Sequence, residues 1–166
     1  MLVLGIDPGT AIVGYALVQK NRNILEPVCY GCITTKPTSK DGDRLCTIEN
    51  ELKKIIEKFK PDAAAVEKIF FFKNVKTVIG VSQARGVIMN ALARLNIETF
   101  EYTPLQVKIS VSGYGKAPKQ QVQKMVKTLL CLKEIPKPDD AADALAIAIC
   151  HLNQRQWGME NGKIKM

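Results

Sequence analysis

Four acidic side chains carry the chemistry this sequence suggests: Asp7, Glu67, Asp140 and Asp143. Asp7 follows an apolar run over residues 2–6, and Glu67 follows Ala63-Ala64-Ala65-Val66, so each acid stands at the rim of a buried strand. Asp140 and Asp143 are three residues apart, which places them on one face of a helix; Asp139 and Asp143, four apart, make Asp139 a rival. Each acid alone has an ordinary explanation. Asp at a helix start is favoured by capping and the helix dipole, and Asp7 before Pro8-Gly9 suits a turn. Gathered on one rim, however, the four would repel one another unless cations lay between them. Hard oxygen donors with few His or Cys nearby select Mg²⁺ or Mn²⁺ over zinc. On a basic protein such a site fits two-metal phosphodiester hydrolysis.

The elements that must gather these acids follow from the apolar pattern. Residues 2–6 form a strand stopped by Asp7-Pro8-Gly9-Thr10. Residues 12–19 and 24–35 form two more, joined through Asn21-Arg22-Asn23. Leu45, Ile48, Leu52, Ile55, Ile56 and Phe59 recur at helical spacing, with Asp41 or Asp43 as N-cap and Pro61 as the stop. A strand over 62–67, a long helix over 75–95 and a strand over 97–102 come next. A helix over 104–111 is capped by Thr103. Val122, Met125, Val126, Leu129 and Leu130 stripe another helix, and 139–152 forms the last. Hairpins make the first strands antiparallel, and helical crossovers make the later ones parallel to the first. The expected fold is an α/β mixed five-stranded sheet with helices on both faces. Asp7 and Glu67 then lie at the carboxyl ends of neighbouring parallel strands, where open α/β sheets bind ligands. Residues 1–153 make one domain, and 154–166 a mobile tail.

Several motifs together resemble the bacterial Holliday-junction resolvases of the RuvC type. They are Gly5-Ile6-Asp7-Pro8-Gly9-Thr10 with Gly14-Tyr15, Ala65-Val66-Glu67-Lys68-Ile69-Phe70, Gln83-Ala84-Arg85-Gly86-Val87, Gln106-Val107-Lys108, Lys119-Gln120-Gln121-Val122-Gln123 and Asp140-Ala141-Ala142-Asp143-Ala144-Leu145-Ala146. They stand in the family's order and extend to about His151. The resemblance implies a ribonuclease-H-like fold and a homodimer. It implies paired symmetric nicking of four-way DNA junctions in recombination and repair, leaving 5′-phosphate and 3′-hydroxyl ends. It also implies two Mg²⁺ ions per site, with Mn²⁺ able to substitute, and a branch-migration motor of the RuvA-RuvB type as partner. The catalytic and metal-binding acids carry over to Asp7, Glu67, Asp140 and Asp143. Phe70 matches an aromatic that engages unpaired bases, and Lys108 and Lys119 match basic residues that support DNA binding. Asp139, Lys68, Phe71 and Phe72 depart from the pattern, adding charge or rings beside matched positions. Two alternatives remain in view: a non-catalytic junction-binding protein, and a ribonuclease-H-like nuclease with another nucleic-acid substrate. An actin-type ATPase, suggested by the first turn, would need a second such half and a longer chain.

Composition agrees with a DNA partner. Among 166 residues, 24 Lys and Arg face 16 Asp and Glu, a net charge of +8 that favours a polyanion. Lys108, Lys116 and Lys119 flank the loop Gly113-Tyr114-Gly115-Lys116 and could reach phosphates beside the metals. Gly80, Ala84, Val87 and Ala91 form a small-residue stripe on the long helix, expected to be a two-fold dimer contact. Five cysteines form no disulfide framework, and Cys29-x-x-Cys32 lacks the second pair of a zinc site. No apolar run approaches a bilayer span, and residues 1–7 carry no basic leader; the expected location is the cytoplasm, with no membrane contact. His151, the single histidine, is expected to pack rather than catalyse.

Overall fold

The computed structural model describes residues 1–69 and 75–160, with side chains for all of these except 75–77 and 155–160. Its sheet is built from β1 (Leu2–Asp7), β2 (Ile12–Asn21), β3 (Ile24–Thr34), β4 (Ala63–Glu67) and β5 (Glu98–Tyr102). Their order is β3-β2-β1-β4-β5. The β1–β2 and β2–β3 pairs are antiparallel, and β4 lies parallel to both β1 and β5. This is the mixed five-stranded sheet expected from the hairpin and crossover pattern.

Side chains alternate across a strand, so each strand feeds two cores. Leu4, Ile6, Leu17, Ala64 and Val66 point to the face covered by α1 (Asp41–Phe59) and α2 (Val75–Arg94). There they meet Ile48, Leu52, Ile56, Ile88 and Leu92. Val3, Ala16, Val18 and Ala65 point to the opposite face and meet α3 (Pro104–Ser112), α4 (Lys119–Leu129) and α5 (Asp139–Glu160). Because both faces are covered, β1 and β4 read as nearly unbroken apolar runs. The α5 layer is thin. Ala141, Ala142, Ala144, Ala146 and Ala148 are all buried, so little side chain separates the helix backbone from the sheet.

Three expectations need correction. The residue before α1 is Lys40, which makes no side-chain cap; Asp41 and Asp43 lie inside the first turn, where they favour the helix through its dipole. The small-residue stripe on α2 is not a free surface, since Ala84 and Ala91 are buried in the chain's own core beside Ile88 and Leu92. Leu95 packs against the same core, so the buried face of α2 takes in small residues together with the large apolar ones. The last helix does not stop at Leu152 but continues to Glu160. The cap of α3 is as expected and more complete. The Thr103 hydroxyl accepts from the Gln106 N–H at 3.1 Å, and the Gln106 side chain accepts from the Thr103 N–H at 2.8 Å. Among the described residues, no helix is long and apolar enough to cross a membrane.

Candidate active site

Strand register brings the first two acids together. Ile6 of β1 stands opposite Val66 of β4, so Asp7 and Glu67, each one residue further on, emerge side by side at the carboxyl ends of the two central strands. Both occupy the parity that faces α5, the same as Val3 and Ala65.

The third and fourth acids depend on how closely α5 approaches the sheet. Two glycines set that distance. A Cβ on Gly14, the β2 residue opposite Asp7, would stand 2.0 Å from the Asp140 carbonyl oxygen. A Cβ on Gly5 would stand 2.1 Å from the Ala144 carbonyl oxygen and 2.8 Å from the Ala148 nitrogen. The helix backbone thus rests directly on β1 and β2, and its first turn delivers Asp140 and Asp143 to the rim already holding Asp7 and Glu67. Asp139, at the same turn, is well exposed and shares the Lys119 ammonium with Asp143.

Electrostatics records the convergence. Burial, followed by the carboxylates of Glu67, Asp143 and Asp140, pushes the Asp7 carboxyl up to about 8, against the pull of the Lys119 ammonium. Burial and then Asp143 push Glu67 up to about 7, opposed by Lys119 and Lys108. Burial likewise raises Asp143, although Lys119 counters it directly. The Lys119 Nζ lies 2.8 Å from an Asp143 oxygen and 3.4 Å from an Asp139 oxygen. Burial disfavours the Lys119 charge, but these two carboxylates outweigh it and raise its pKa. Lys119, placed by its sequence position among phosphate contacts, is therefore a counter-charge inside the acidic cluster.

Beside the acids opens a cleft of about 240 Å³. Glu67 and Asp143 edge it, Lys108 and Lys119 stand on its wall, and Val107 and Val122 contribute apolar lining. Lys116 is exposed on the loop between α3 and α4. Phe70, the expected base-contacting ring, lies outside the described residues, as do Phe71 and Phe72.

Sequence reasoning missed Gly5 and Gly14 as the seats of α5. Their signal is glycine at strand positions whose side chains would face a helix. Cys32, the second thiol of Cys29-x-x-Cys32, pairs with Gly14 across β2 and β3. Burial, then the Asp140 carboxylate, raises the Cys32 thiol, while the Ala141 N–H lowers it. Cys29 falls on the opposite sheet face beside Tyr15, as strand alternation requires. His151 is a core residue: its Nδ1 is 2.7 Å from the Tyr102 hydroxyl, and its ring lies 4.5 Å from that of Phe100.

Among the described residues, no three acids, histidines or cysteines stand close enough together, as placed here, to hold a metal ion. The donor set nonetheless fits a divalent cation. Two carboxyls raised to about 8 and 7 by their neighbours carry repulsion that one lysine does not cancel.

A mixed sheet of this order, with carboxylates clustered at the ends of its central strands under an alanine-rich helix, is the architecture of the ribonuclease-H-like class. Family comparison makes this specific. The family described as crossover junction endodeoxyribonuclease RuvC matches residues 3–151, and the chain belongs to it. A crossover junction endodeoxyribonuclease RuvC of Halothermothrix orenii is 56% identical over 162 residues, covering 95% of this chain and 98% of that protein. One of Ruminiclostridium cellulolyticum is 54% identical over 158 residues, covering 95% of both chains. The solved structure of T. thermophilus RuvC in complex with a Holliday junction substrate matches with a TM-score of 0.90 at 33% identity, covering 95% of this chain and 96% of that one.

Proposed function

We propose that the chain is an endonuclease that resolves four-way DNA junctions by paired symmetric nicks in homologous recombination and DNA repair. The observation that carries this reading is the convergence of Asp7, Glu67, Asp140 and Asp143 on one rim beside a lysine-walled cleft. Family membership and the junction-bound structural relative supply the substrate class.

Asp7, Glu67, Asp140 and Asp143 would hold the divalent ions, two Mg²⁺ per site. When bound, such ions lower the pKa of an attacking water and stabilise the charge on the leaving oxygen. The chain's own residues do the rest. Asp7 and Glu67, raised by burial and mutual repulsion, give up their protons when positive charge arrives. Lys108 and Lys119 face the cleft, where their ammonium groups would hold the phosphate against the acidic rim. In the reaction, the water oxygen bonds to phosphorus as the bond from phosphorus to the 3′ oxygen breaks. The leaving oxygen takes up a proton, giving a 5′-phosphate and a 3′-hydroxyl.

Two opposed nicks require two sites, so the active form is a homodimer. With Ala84 and Ala91 committed to the monomer core, the face of α2 left for a second copy carries Ile79, 60% exposed, and Gly86. The branch-migration motor is the proposed protein partner. Five free cysteines accord with a reducing cytoplasm.

The test mixes purified protein with a mobile four-way junction, with and without Mg²⁺, and compares Asp7→Asn. Symmetric nicks that need Mg²⁺ and vanish in the variant while binding persists are expected. Binding without nicks would instead make the protein a junction scaffold, and equal cutting of plain duplex would point to another substrate.

A further inference from the structure

Residues 103–133 contain six lysines and no Asp, Glu or Arg. Within this basic segment lie three of the most exposed large apolar side chains among the described residues: Leu105 at 56%, Ile109 at 50% and Tyr114 at 54%. Leu105 and Ile109 are one turn apart on α3 and share a face, while Val107 and Val111 on the other side are buried. The following loop folds back against that exposed face. A Cβ on Gly115 would lie 2.5 Å from the Leu105 Cδ1 and 3.3 Å from the Ile109 Cγ1, so the absence of a side chain lets Gly115 nest there. Tyr114, the residue before Gly115, is itself exposed on the loop that folds back.

The loop is held firmly. The Gly113 N–H donates to the Ile109 carbonyl at 2.8 Å, with Gly113 in the left-handed region at φ 73. The Ser112 hydroxyl bridges the Lys108 carbonyl at 2.7 Å and the Tyr114 carbonyl at 3.2 Å, and the Ala117 N–H donates to the latter at 3.0 Å. Tyr114 is therefore presented on a fixed backbone, which reduces the ordering entropy lost when a ligand binds it.

The patch adjoins the catalytic cleft. Lys108, one residue before Ile109, lines that cleft together with Glu67 and Asp143. Lys116 stands two residues beyond Tyr114 and is exposed. An apolar, aromatic shelf between two lysines, in a segment without a single acid, complements a nucleotide strand: phosphates for the lysines, base and sugar for the shelf.

We propose that Leu105, Ile109 and Tyr114 form a shelf that receives an unpaired nucleotide of the junction strand leaving the cleft. Its base stacks on the Tyr114 ring, its sugar rests on Leu105 and Ile109, and Lys108 and Lys116 hold the flanking phosphates. This rests on the junction-cutting reading above.

The test measures binding of a fluorescein-labelled four-way junction in EDTA across a salt series. It uses the wild-type protein, Tyr114→Ala, Tyr114→Phe, the pair Leu105→Ala with Ile109→Ala, and Lys116→Ala. Melting temperatures of the variants are checked first, and the exposed positions predict little change. Tyr114→Ala is expected to weaken binding about tenfold, with Tyr114→Phe near wild type, because stacking needs the ring and not the hydroxyl. The slope of log affinity against log salt should stay constant in Tyr114→Ala and fall by about 0.7–0.9 in Lys116→Ala. The proposal is overturned by Tyr114→Ala and the Leu105/Ile109 pair binding like wild type, or by Tyr114→Phe failing as badly as Tyr114→Ala. Normal DNA binding and cutting with a defect seen only when the motor is added would assign the patch to a protein and also overturn it. Wild-type protein that ignores the junction would remove the junction-cutting reading itself, and this inference with it.

Discussion

Replacing Gly14 with Ala should disable the enzyme without any acid being touched. The new methyl would stand 2.0 Å from the Asp140 carbonyl oxygen and 2.6 Å from its carbon. Ordinary contact begins near 3.4 Å, so the first turn of α5 must retreat by roughly 1.4 Å. Neither neighbour yields easily, since β2 is hydrogen-bonded on both sides and α5 packs along β1 and β2. Overpacking of this kind costs about 1–3 kcal/mol of stability. The catalytic penalty should be larger, because Asp140 and Asp143 move with the turn. A displacement of about 1 Å in a reacting array lowers rates on the order of 100-fold. Single-turnover cleavage of a four-way junction at saturating Mg²⁺ measures the second effect, and urea denaturation the first. Gly42→Ala is the control: Gly42 is exposed in α1 with nothing near its missing Cβ, and the same exchange there should be neutral or slightly stabilising. A Gly14→Ala enzyme that cuts at the wild-type rate would refute the claim that this glycine seats the acidic turn.

Four further outcomes follow from the site's charge. Asp7 titrates near 8 in the folded metal-free protein against 3.8 ordinarily, so the folded state binds the extra proton between those values. Metal-free stability should therefore fall as pH rises from about 4 to 8, read as a lower urea midpoint at pH 8 than at pH 5. Asp7→Asn should raise the melting temperature of metal-free protein at pH 8 while abolishing cleavage; a lower melting temperature would contradict the repulsion argument. Mg²⁺ binding at pH 7 should release protons from Asp7 and Glu67, and fewer at pH 9, seen by calorimetry in buffers of different ionisation enthalpy. Lys119→Met removes the counter-charge touching Asp143 and Asp139, so it should destabilise the metal-free protein at neutral pH and slow cleavage. Unchanged stability would show that Lys119 does not offset the acids.

The sheet was legible because its signals are local. Apolar runs ending at Asp7 and Glu67, the Asn21-Arg22-Asn23 turn and the Thr103 cap each declare an element, and the hairpin and crossover rules then order the strands. Asp7 and Glu67 could be paired from strand order alone. Other features depend on distances between elements, which periodicity does not encode. Gly14 looks like any strand glycine until α5 is laid on it. Lys119 looks like a surface lysine until α4 brings it to Asp143. The stripe Gly80, Ala84, Val87, Ala91 obeyed helical spacing, yet spacing fixes only which residues share a face and not what that face meets; Ala84 and Ala91 meet the chain's own core. The end of α5 was missed because apolar periodicity fades after Leu152 while the backbone helix continues.

Anomalous scattering from crystals of the wild-type protein grown with Mn²⁺ tests the central claim most directly. Manganese peaks within coordination distance of Asp7, Glu67 and the Asp140–Asp143 turn, absent in Asp7→Asn crystals, are the result expected. Manganese lying elsewhere, or none bound with the four carboxylates ordered and in place, would contradict it.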